Sequence, residues 1–425
     1  MPPEDRSSVL RTGCRVCGEK SGVRAFLSLG RLPLGNAFIP PSEIPGEREF
    51  PLTMGVCRAC HLIQIVEPAP ADAIETVYRN YSYVPTGATL ARHYGELAED
   101  IVRVVEPGPG ALFLDIGSND GLLLRSIRDR APAAQIGGVE PSPRIAEIAR
   151  GQGVPTINGF FDAAAAKEAR QRFGSPDVVS ATQVLQHIRD PVALVRSVAE
   201  ILRPDGVLVL EGRAYFPDVV EKVSFDTFYH ELLYCFTLHS LEPLLAQAGF
   251  RVFHASPSDA YGGSLRVYAQ LAKGGRRSVS PAVESVRAAE VAAGVPRFDA
   301  YARFAERVEG VRARLGKTVS ELKSTGATIA GYGAPSTGTT LLSYCGLGHD
   351  VVDYIVDDNP LKQGLVTPGT HVPITPSSAL TERPPDYVLV IAWRLREEIL
   401  ARLAPVRGDR IRGVLLPLPE PELLT

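Results

Sequence analysis

The run FLDIGSNDGLLL, Phe113 to Leu124, and the run GGVEPS, Gly137 to Ser142, hold the residue types best suited to chemistry. An apolar strand that breaks into a glycine-containing turn and restarts as a helix, with an acid closing the next strand, is how an open α/β sheet holds an adenosine-type cofactor. Gly117 and Gly121 let the backbone pass close to a ligand, and Glu140 can accept hydrogen bonds from both ribose hydroxyls. The turn lacks the full G-x-G-x-x-G fingerprint. Asp115, Asn119 and Asp120 would repel a pyrophosphate but suit the cationic, amino-acid-bearing end of S-adenosylmethionine (SAM), which favours a methyltransferase over a dehydrogenase. The cofactor candidates are therefore Asp115, Gly117, Ser118, Asn119, Asp120, Gly121, Glu140 and Pro141, with Gln183 after a later strand. The plain alternative is a strand-turn-helix whose acids only cap the helix.

A second constellation is metal-like. Cys14, Cys17, Cys57 and Cys60 form two C-x-x-C knuckles that offer four thiolates for a tetrahedral zinc site with no open position, hence a structural one. A redox pair or four unrelated thiols are the alternatives. His61, next to Cys60, reads as a neighbour of the site and not as a ligand. Cys235 and Cys345 sit in apolar surroundings and are not expected to be ligands.

A third group could move protons. In SFDTFYHELLYCF, Ser224 to Phe236, an aromatic frame holds Tyr229, His230, Glu231 and Tyr234. Methylation of carbon needs a base for an acidic C–H and donors for the resulting enolate oxygen, which such residues can supply. For His230 a structural role stands beside the catalytic one. His187, in VLQHIRDP, follows a strand near where the methyl group should point and is a catalytic or substrate-binding candidate.

These residues need elements to carry them. The 425 residues exceed one core, so two or three domains are expected. The spans read as a zinc-binding domain over 1–75, a SAM-dependent domain over 76–275 and a Rossmann-like domain over 276–425. In the middle span, helices around TVYRNYSYVPTG and LARHYGELAEDIVRVV precede alternating strands and helices, which gives a doubly wound α/β sheet. Ligands in such sheets lie beyond the carboxyl ends of the strands, which selects Asp115 to Gly121, Glu140, Gln183 to His187 and Glu211 to Tyr215. A charged helical connector from Pro281 to Gly326 leads to a further α/β unit. Its loop Gly331 to Gly338 either binds phosphate at a helix start or is purely structural. Trp393 and Arg394 end another of its strands.

Composition narrows the partners. A formal net charge of −3 gives no electrostatic reason to expect nucleic acid or an anionic membrane. No apolar stretch has membrane-span length, and MPPEDRSSVLRTG has neither region of a signal peptide, so a cytoplasmic protein with a small-molecule substrate is expected.

The order of motifs resembles the three-domain sugar C-methyltransferases. These use SAM to methylate nucleotide-linked 4-keto deoxysugars in natural-product biosynthesis, including that of antibiotics. The resemblance rests on the paired knuckles, DIGSNDG, GVEPS, VLQHI, FDTFYHE, GGSLRVY, GYGAPSTG, DDNPLKQG and PGTHVPI. It implies zinc on Cys14, Cys17, Cys57 and Cys60, active-site roles for His187, Tyr229 and Glu231, and a carboxyl-terminal domain that closes over a nucleotide-sugar. The chain departs from that family at several points: Leu232 replaces the histidine of Tyr-x-Glu-His, and Gln183, Tyr261, Thr337 and Arg394 replace an asparagine, a histidine, a lysine and an asparagine. These departures leave two further readings, a SAM-binding protein that catalyses a non-methylating isomerisation or cyclisation, and an O- or N-methyltransferase.

Overall fold

The computed structural model describes residues 13–20, 22–79, 88–406 and 410–425. The segment Asn80 to Gly87 of the expected first helical region, and the first 12 residues of the chain, lie outside them. Three sheets organise the molecule.

The first sheet is built by β1 (Val23–Leu32), β2 (Phe50–Cys57) and β3 (Ile63–Ile65). Apolar residues of these strands, among them Leu27, Leu52, Met54 and Ile65, are buried at 5% exposure or less, as alternation along a half-buried sheet requires. Helices α1 (Ala71–Arg79) and α2 (Ala88–Val105) follow.

The second sheet takes β4 (Leu112–Ile116), α3 (Leu122–Arg130), β5 (Gln135–Glu140), α4 (Pro143–Gly151), β6 (Thr156–Asn158), α5 (Ala163–Phe173), β7 (Val178–Thr182), α6 (Pro191–Ile201), β8 (Val207–Arg213) and α7 (Phe216–Glu221). A short strand β9 (Tyr234–Cys235), helix α8 (Leu238–Ala246), β10 (Phe250–Ser258) and β11 (Ser264–Leu271) complete this part of the chain. The sheet has seven strands in the order β10-β11-β8-β7-β4-β5-β6, and β11 runs antiparallel to both of its neighbours. All five positions of β4 and of β7 are buried, which is the continuous apolar run of a strand covered on both faces. The strand order reverses between β4 and β7, so a crevice opens beyond their carboxyl ends.

Strand β9 belongs to neither flanking part of its own sequence. It pairs with β3 and becomes the fourth strand of the first sheet, with Ile63 opposite Cys235 and Gln64 opposite Tyr234. The segment carrying Tyr229 to Leu233 is thereby tied to the amino-terminal sheet.

The connector forms α9 (Pro281–Ala293) and the 27-residue α10 (Phe298–Ser324). Tyr301, Phe304, Val308, Val311, Leu315 and Val319 make its buried stripe at helical spacing. Tyr301 reaches Phe26 of β1 and stacks on Phe216 at 4.5 Å, so this helix is a spine between sheets. The third sheet contains β12 (Ile329–Tyr332), α11 (Ser336–Cys345), β13 (Tyr354–Val356), β14 (Ile374–Thr375), α12 (Ala379–Glu382), β15 (Tyr387–Val390), α13 (Arg396–Leu403), β16 (Gly413–Leu416) and β17 (Glu422–Leu424). Its order is β14-β13-β12-β15-β16-β17, parallel except for β17. No helix of the described residues is long and apolar enough to cross a membrane.

Candidate active site and zinc centre

The four cysteine sulfurs expected to bind zinc lie within 4.8 Å of one another. Cys14 and Cys60 Sγ are 3.5 Å apart and Cys17 and Cys57 Sγ 3.6 Å. A tetrahedron with Zn–S bonds of about 2.3 Å has edges of roughly 3.8 Å, so the cluster fits zinc held by thiolates. Both knuckles sit on tight turns flanking the first sheet, and Cys57 N and Leu62 O close the second at 2.9 Å. The four sulfurs leave no position for a substrate. The metal is structural.

A cavity of about 1560 Å³ opens beyond the carboxyl ends of β4 and β7. Drug-sized ligands occupy roughly 300–1,000 Å³, so this space suits two ligands side by side. One wall belongs to the second sheet, another to Asn36–Ile39 of the first part, and the third to loops after β12, β13 and β15.

On the first wall Gly117, Asn119, Glu140, Pro141 and Gln183 line the cavity. Gly117 has φ +67°, and a Cβ there would stand 2.5 Å from Val184 Cγ2, so only glycine fits. Glu140 is held from both ends, Oε2 by Asn119 N–H at 3.0 Å and Oε1 by Ser142 N–H at 2.8 Å. Burial raises its pKa against those two donors. Each carboxylate oxygen keeps a lone-pair direction for a ligand hydroxyl.

Four expected cofactor residues stand behind this wall. Asp115 is buried with Oδ1 2.6 Å from Ser180 Oγ, and Ser118 packs against Gly138. Asp120 caps α3, accepting from Leu122 N–H at 3.2 Å and Arg125 Nη2 at 3.1 Å. Gly121 turns the chain into that helix at φ +79°. None of the four is on the cavity surface. The reason is geometric: a turn of five residues can present only part of its length to one side, and the rest must satisfy the new helix. Phe160, 51% exposed at the cavity, was missed; it follows β6, and the strand-end rule would have found it had the third strand been included. Its open ring face suits a flat heteroaromatic base.

The second wall gathers His187, Tyr229 and Glu231. Glu231 is buried and accepts three hydrogen bonds, from Gly35 N–H at 3.1 Å, Asn36 N–H at 2.8 Å and Asn36 Nδ2 at 3.1 Å. Bonds to a charged acceptor contribute about 1.5–3 kcal/mol each, so this carboxylate fastens the amino-terminal part to the catalytic segment. His187 Nδ1 donates to the carbonyl oxygen of Glu231. Burial, followed by the charge of Arg213, lowers its pKa to about 3, which keeps the ring neutral. The Tyr229 hydroxyl accepts from Arg213 Nη2. Arg213, which ends β8, was missed as an individual residue although it lies within the strand-end segment selected from the sequence.

His230 departs from the catalytic expectation. It is fully buried, is absent from the cavity wall, and sets Nε2 3.0 Å from the carbonyl oxygen of Phe50. Tyr229 to Leu232 form a tight turn closed by Leu232 N–H on Tyr229 O at 2.9 Å, which lets Tyr229 and Glu231 line the cavity while His230 turns to Phe50. Leu232 is also buried and brings no proton carrier.

The third wall includes the loop that leads into α11, and Pro335, Ser336 and Thr337 at that helix start line the cavity. Gly333 N–H donates to Val356 O at 2.8 Å and Ala334 N–H to Asp357 Oδ2 at 2.7 Å. Both donors are already used. Lys362 Nζ reaches Ala334 O at 2.6 Å and lies 4.6 Å from the Phe38 ring, at the cavity; burial lowers its pKa. Arg394 lines the cavity and pairs with buried Asp226 at 2.7 and 2.9 Å. Trp393 does not line it; its indole N–H donates to the same Asp226 at 2.9 Å.

Three family descriptions match successive stretches of the chain. A zinc-binding domain matches residues 14–74, a methyltransferase domain 90–255 and the C-methyltransferase C-terminal domain 259–419. C-methyltransferase NovU of Streptomyces niveus is 33% identical over 417 residues, covering 97% of this chain and 96% of that protein. The ubiquinone biosynthesis O-methyltransferase of Xanthomonas oryzae pv. oryzae is 31% identical over 103 residues, 24% of this chain and 42% of its own length. Among solved structures, the mitomycin 7-O-methyltransferase MmcR aligns with TM-score 0.34 and 20% identity over 44% of this chain and 55% of that one. Magnesium protoporphyrin IX methyltransferase from Synechocystis PCC 6803, with bound S-adenosylhomocysteine, aligns with TM-score 0.34 and 18% identity over 47% and 94%. With its zinc cysteines clustered, its cofactor sheet in place and a full-length relative at this identity, the chain belongs to the SAM-dependent C-methyltransferase family.

Proposed function

We propose that the protein transfers a methyl group from SAM to a carbon beside the carbonyl of a nucleotide-linked 4-keto deoxysugar. The observation that carries this reading is the size and lining of the cavity: room for two ligands, with the cofactor wall on one side and, on the other, Lys362 beside Arg394 and Arg402, which are held by Asp226 and by Asp358 and Glu398. Lys362 spends one ammonium hydrogen on Ala334 O and keeps others for a phosphate oxygen.

SAM, when bound, supplies a methyl group activated by a positively charged sulfur. Gly117, Asn119, Glu140, Pro141 and Gln183 would hold it, and Phe160 would cover its base. The chain's own task is to make carbon nucleophilic. Arg213 donates to the oxygen of Tyr229, which leaves the phenolic hydrogen for the acceptor's carbonyl oxygen and sharpens its acidity as enolate charge develops. Glu231 fixes the segment that carries Tyr229. The pairing of β9 with β3 gives it a second anchor.

The test is incubation with carbon-13-methyl SAM and a panel of nucleoside-diphosphate 4-keto deoxysugars. The expected result is S-adenosylhomocysteine together with a labelled methyl bonded to carbon by NMR. A labelled methyl on oxygen or nitrogen would instead assign O- or N-transfer. Product formed without consumption of SAM would assign the non-methylating reading.

A further inference from the structure

Before a carbon beside a carbonyl can attack a methyl group it must lose a proton, and the residues beside Tyr229 are poorly placed to take it. Leu232 is a hydrocarbon. The Glu231 carboxylate is engaged by three N–H donors. Tyr229 accepts from a guanidinium, His230 faces Phe50, and the neutral His187 ring has its basicity suppressed.

Another imidazole lines the cavity. His93, on α2, places Nε2 2.9 Å from Oε1 of Glu211, whose side chain is fully buried. The other oxygen of Glu211 accepts from Arg266 Nε at 2.8 Å, with Arg266 Nη2 at 2.7 Å. Arg266 Nη1 donates in turn to Asp100 at 2.6 Å, as does the Tyr268 hydroxyl at 2.6 Å. Nε2 and Oε1 are both buried with no other hydrogen-bond partner and stand at ion-pair distance outside hydrogen-bond geometry, so a small rotation of the ring seats an Nε2 hydrogen on the carboxylate, which can only accept, and leaves Nδ1 the lone pair. Nε2 is buried, so the 14% of the His93 side chain that remains exposed lies elsewhere on it. The ring is fixed by Tyr94 at 5.3 Å and Tyr261 at 6.1 Å. Tyr261 lies 5.8 Å from the Arg213 guanidinium, which reaches on to Tyr229, so one wall runs unbroken from His93 to the carbonyl-holding hydroxyl.

We propose that His93, oriented by Glu211, is the base that takes the proton from the acceptor carbon, an inference that rests on the C-methylation reading above. A buried carboxylate on one imidazole nitrogen, with the other nitrogen facing the reactant, is the arrangement that makes a histidine a general base in hydrolytic triads. Nδ1 forms a bond to the proton, the C–H pair moves into the carbon–carbon bond of the enolate, and the carbonyl pair moves to oxygen beside Tyr229. The imidazolium is stabilised by Glu211 and returns its proton to water after the carbon has reacted. Arg266 and Asp100 lie behind this pair, Tyr94, Tyr261 and Arg213 in front, and Arg92 and Glu96 on the same helix, so the charge nearest the ring is the Glu211 carboxylate.

The test separates proton removal from methylation. In D₂O, with S-adenosylhomocysteine in place of SAM, the wild-type protein is expected to wash deuterium into the carbon beside the carbonyl of a keto-sugar nucleotide that it methylates. His93→Gln, which keeps a side-chain donor for Glu211, should slow both exchange and methylation by about 10²- to 10⁴-fold with SAM affinity unchanged. His93→Ala should behave alike and regain exchange when imidazole is added. Wild-type exchange by folded His93→Gln would overturn the assignment of His93 and leave C-methylation standing. Absence of both exchange and methylation in the wild-type protein, with every keto-sugar nucleotide tried, would overturn the C-methylation reading and this inference with it.

Discussion

Two strand, glycine-turn and helix units, one after β4 and one after β12, look alike in sequence and end differently in space. In each, the acid that closes the neighbouring strand accepts a hydrogen bond from the turn: Glu140 from Asn119 N–H at 3.0 Å, Asp357 from Ala334 N–H at 2.7 Å. Glu140 still faces the cavity. Asp357 is withdrawn, its other oxygen accepting from Asn359 N–H at 2.8 Å, and the cavity meets Asp358, Asn359 and Lys362 instead. The motif therefore specifies a fold, and a ligand reading depends on which polar atoms the fold leaves over. The first turn keeps acceptors for a ligand, whereas the second spends the N–H groups of Gly333 and Ala334 within the protein and presents Pro335, Ser336 and Thr337 to the cavity.

The strongest way to sharpen this contrast is to loosen the acceptor side alone. The zinc centre supports the sheet whose β1 runs on into the turn holding Gly35 and Asn36, and those residues clamp Glu231. Stripping zinc with a chelator should lower turnover by about 100-fold or more, because a misplacement of about 1 Å costs that much. SAM affinity, measured by calorimetry on the same sample, should change by less than about threefold. Equal loss of both would show that the two sides are one cooperative unit.

A smaller effect comes from exchanging the two acids. Glu140→Ala removes a charged acceptor contributing about 1.5–3 kcal/mol, so SAM affinity should fall at least about tenfold. Asp357→Ala should leave SAM affinity unaltered and raise KM for the acceptor by a few-fold, on the order of 1 kcal/mol, since it removes the acceptor of two loop hydrogen bonds. If Asp357→Ala weakens SAM as much as Glu140→Ala does, the two turns are not functionally distinct.

How much of this was legible in the sequence follows from the range of the interactions. Strand-end rules located Gly117, Glu140, Gln183 and His187 because backbone topology alone sets where those positions lie. The cysteine spacing led to the metal cluster because four thiolates constrain each other regardless of the intervening loop. His93 gave no signal: it lies on a helix ahead of the first cofactor strand and meets Glu211 only through a contact spanning more than a hundred residues. Arg213 was obscured for a related reason, since its value comes from Tyr229, Tyr261 and His187 converging on it from separate segments. His230 lies off the cavity wall because it occupies a tight turn whose side-chain directions residue type does not reveal. The pairing of β9 with the first sheet was also unreadable, as a two-residue strand carries no periodicity.

The smallest expected effect bears on what lies behind each turn. Two residues before Gly117 stands Asp115, and two residues before Gly333 stands Gly331, so only the first turn has an acid beneath it. Burial pushes the Asp115 carboxyl up to about 7, with Ser180 opposing and the charge of Glu140 adding to the rise. The folded protein thus holds this proton more tightly than the unfolded chain. The stabilisation that results is fully present below the ordinary value of 3.8 and is lost as pH rises through about 7. A cation in the adjoining cavity favours the ionised form, so binding of SAM should expel the proton wherever it is still held. Affinity should then climb with pH up to about 7, by no more than about tenfold per unit because a single proton is involved, and level off above it. Calorimetry in buffers of different ionisation enthalpy measures both the slope and the proton release. Asp115→Asn can still accept from Ser180 Oγ but has no proton to lose, so its affinity should be flat over the same range. A slope that survives in Asp115→Asn would place the titrating group elsewhere, and the difference between the two turns would then reside in Glu140 alone.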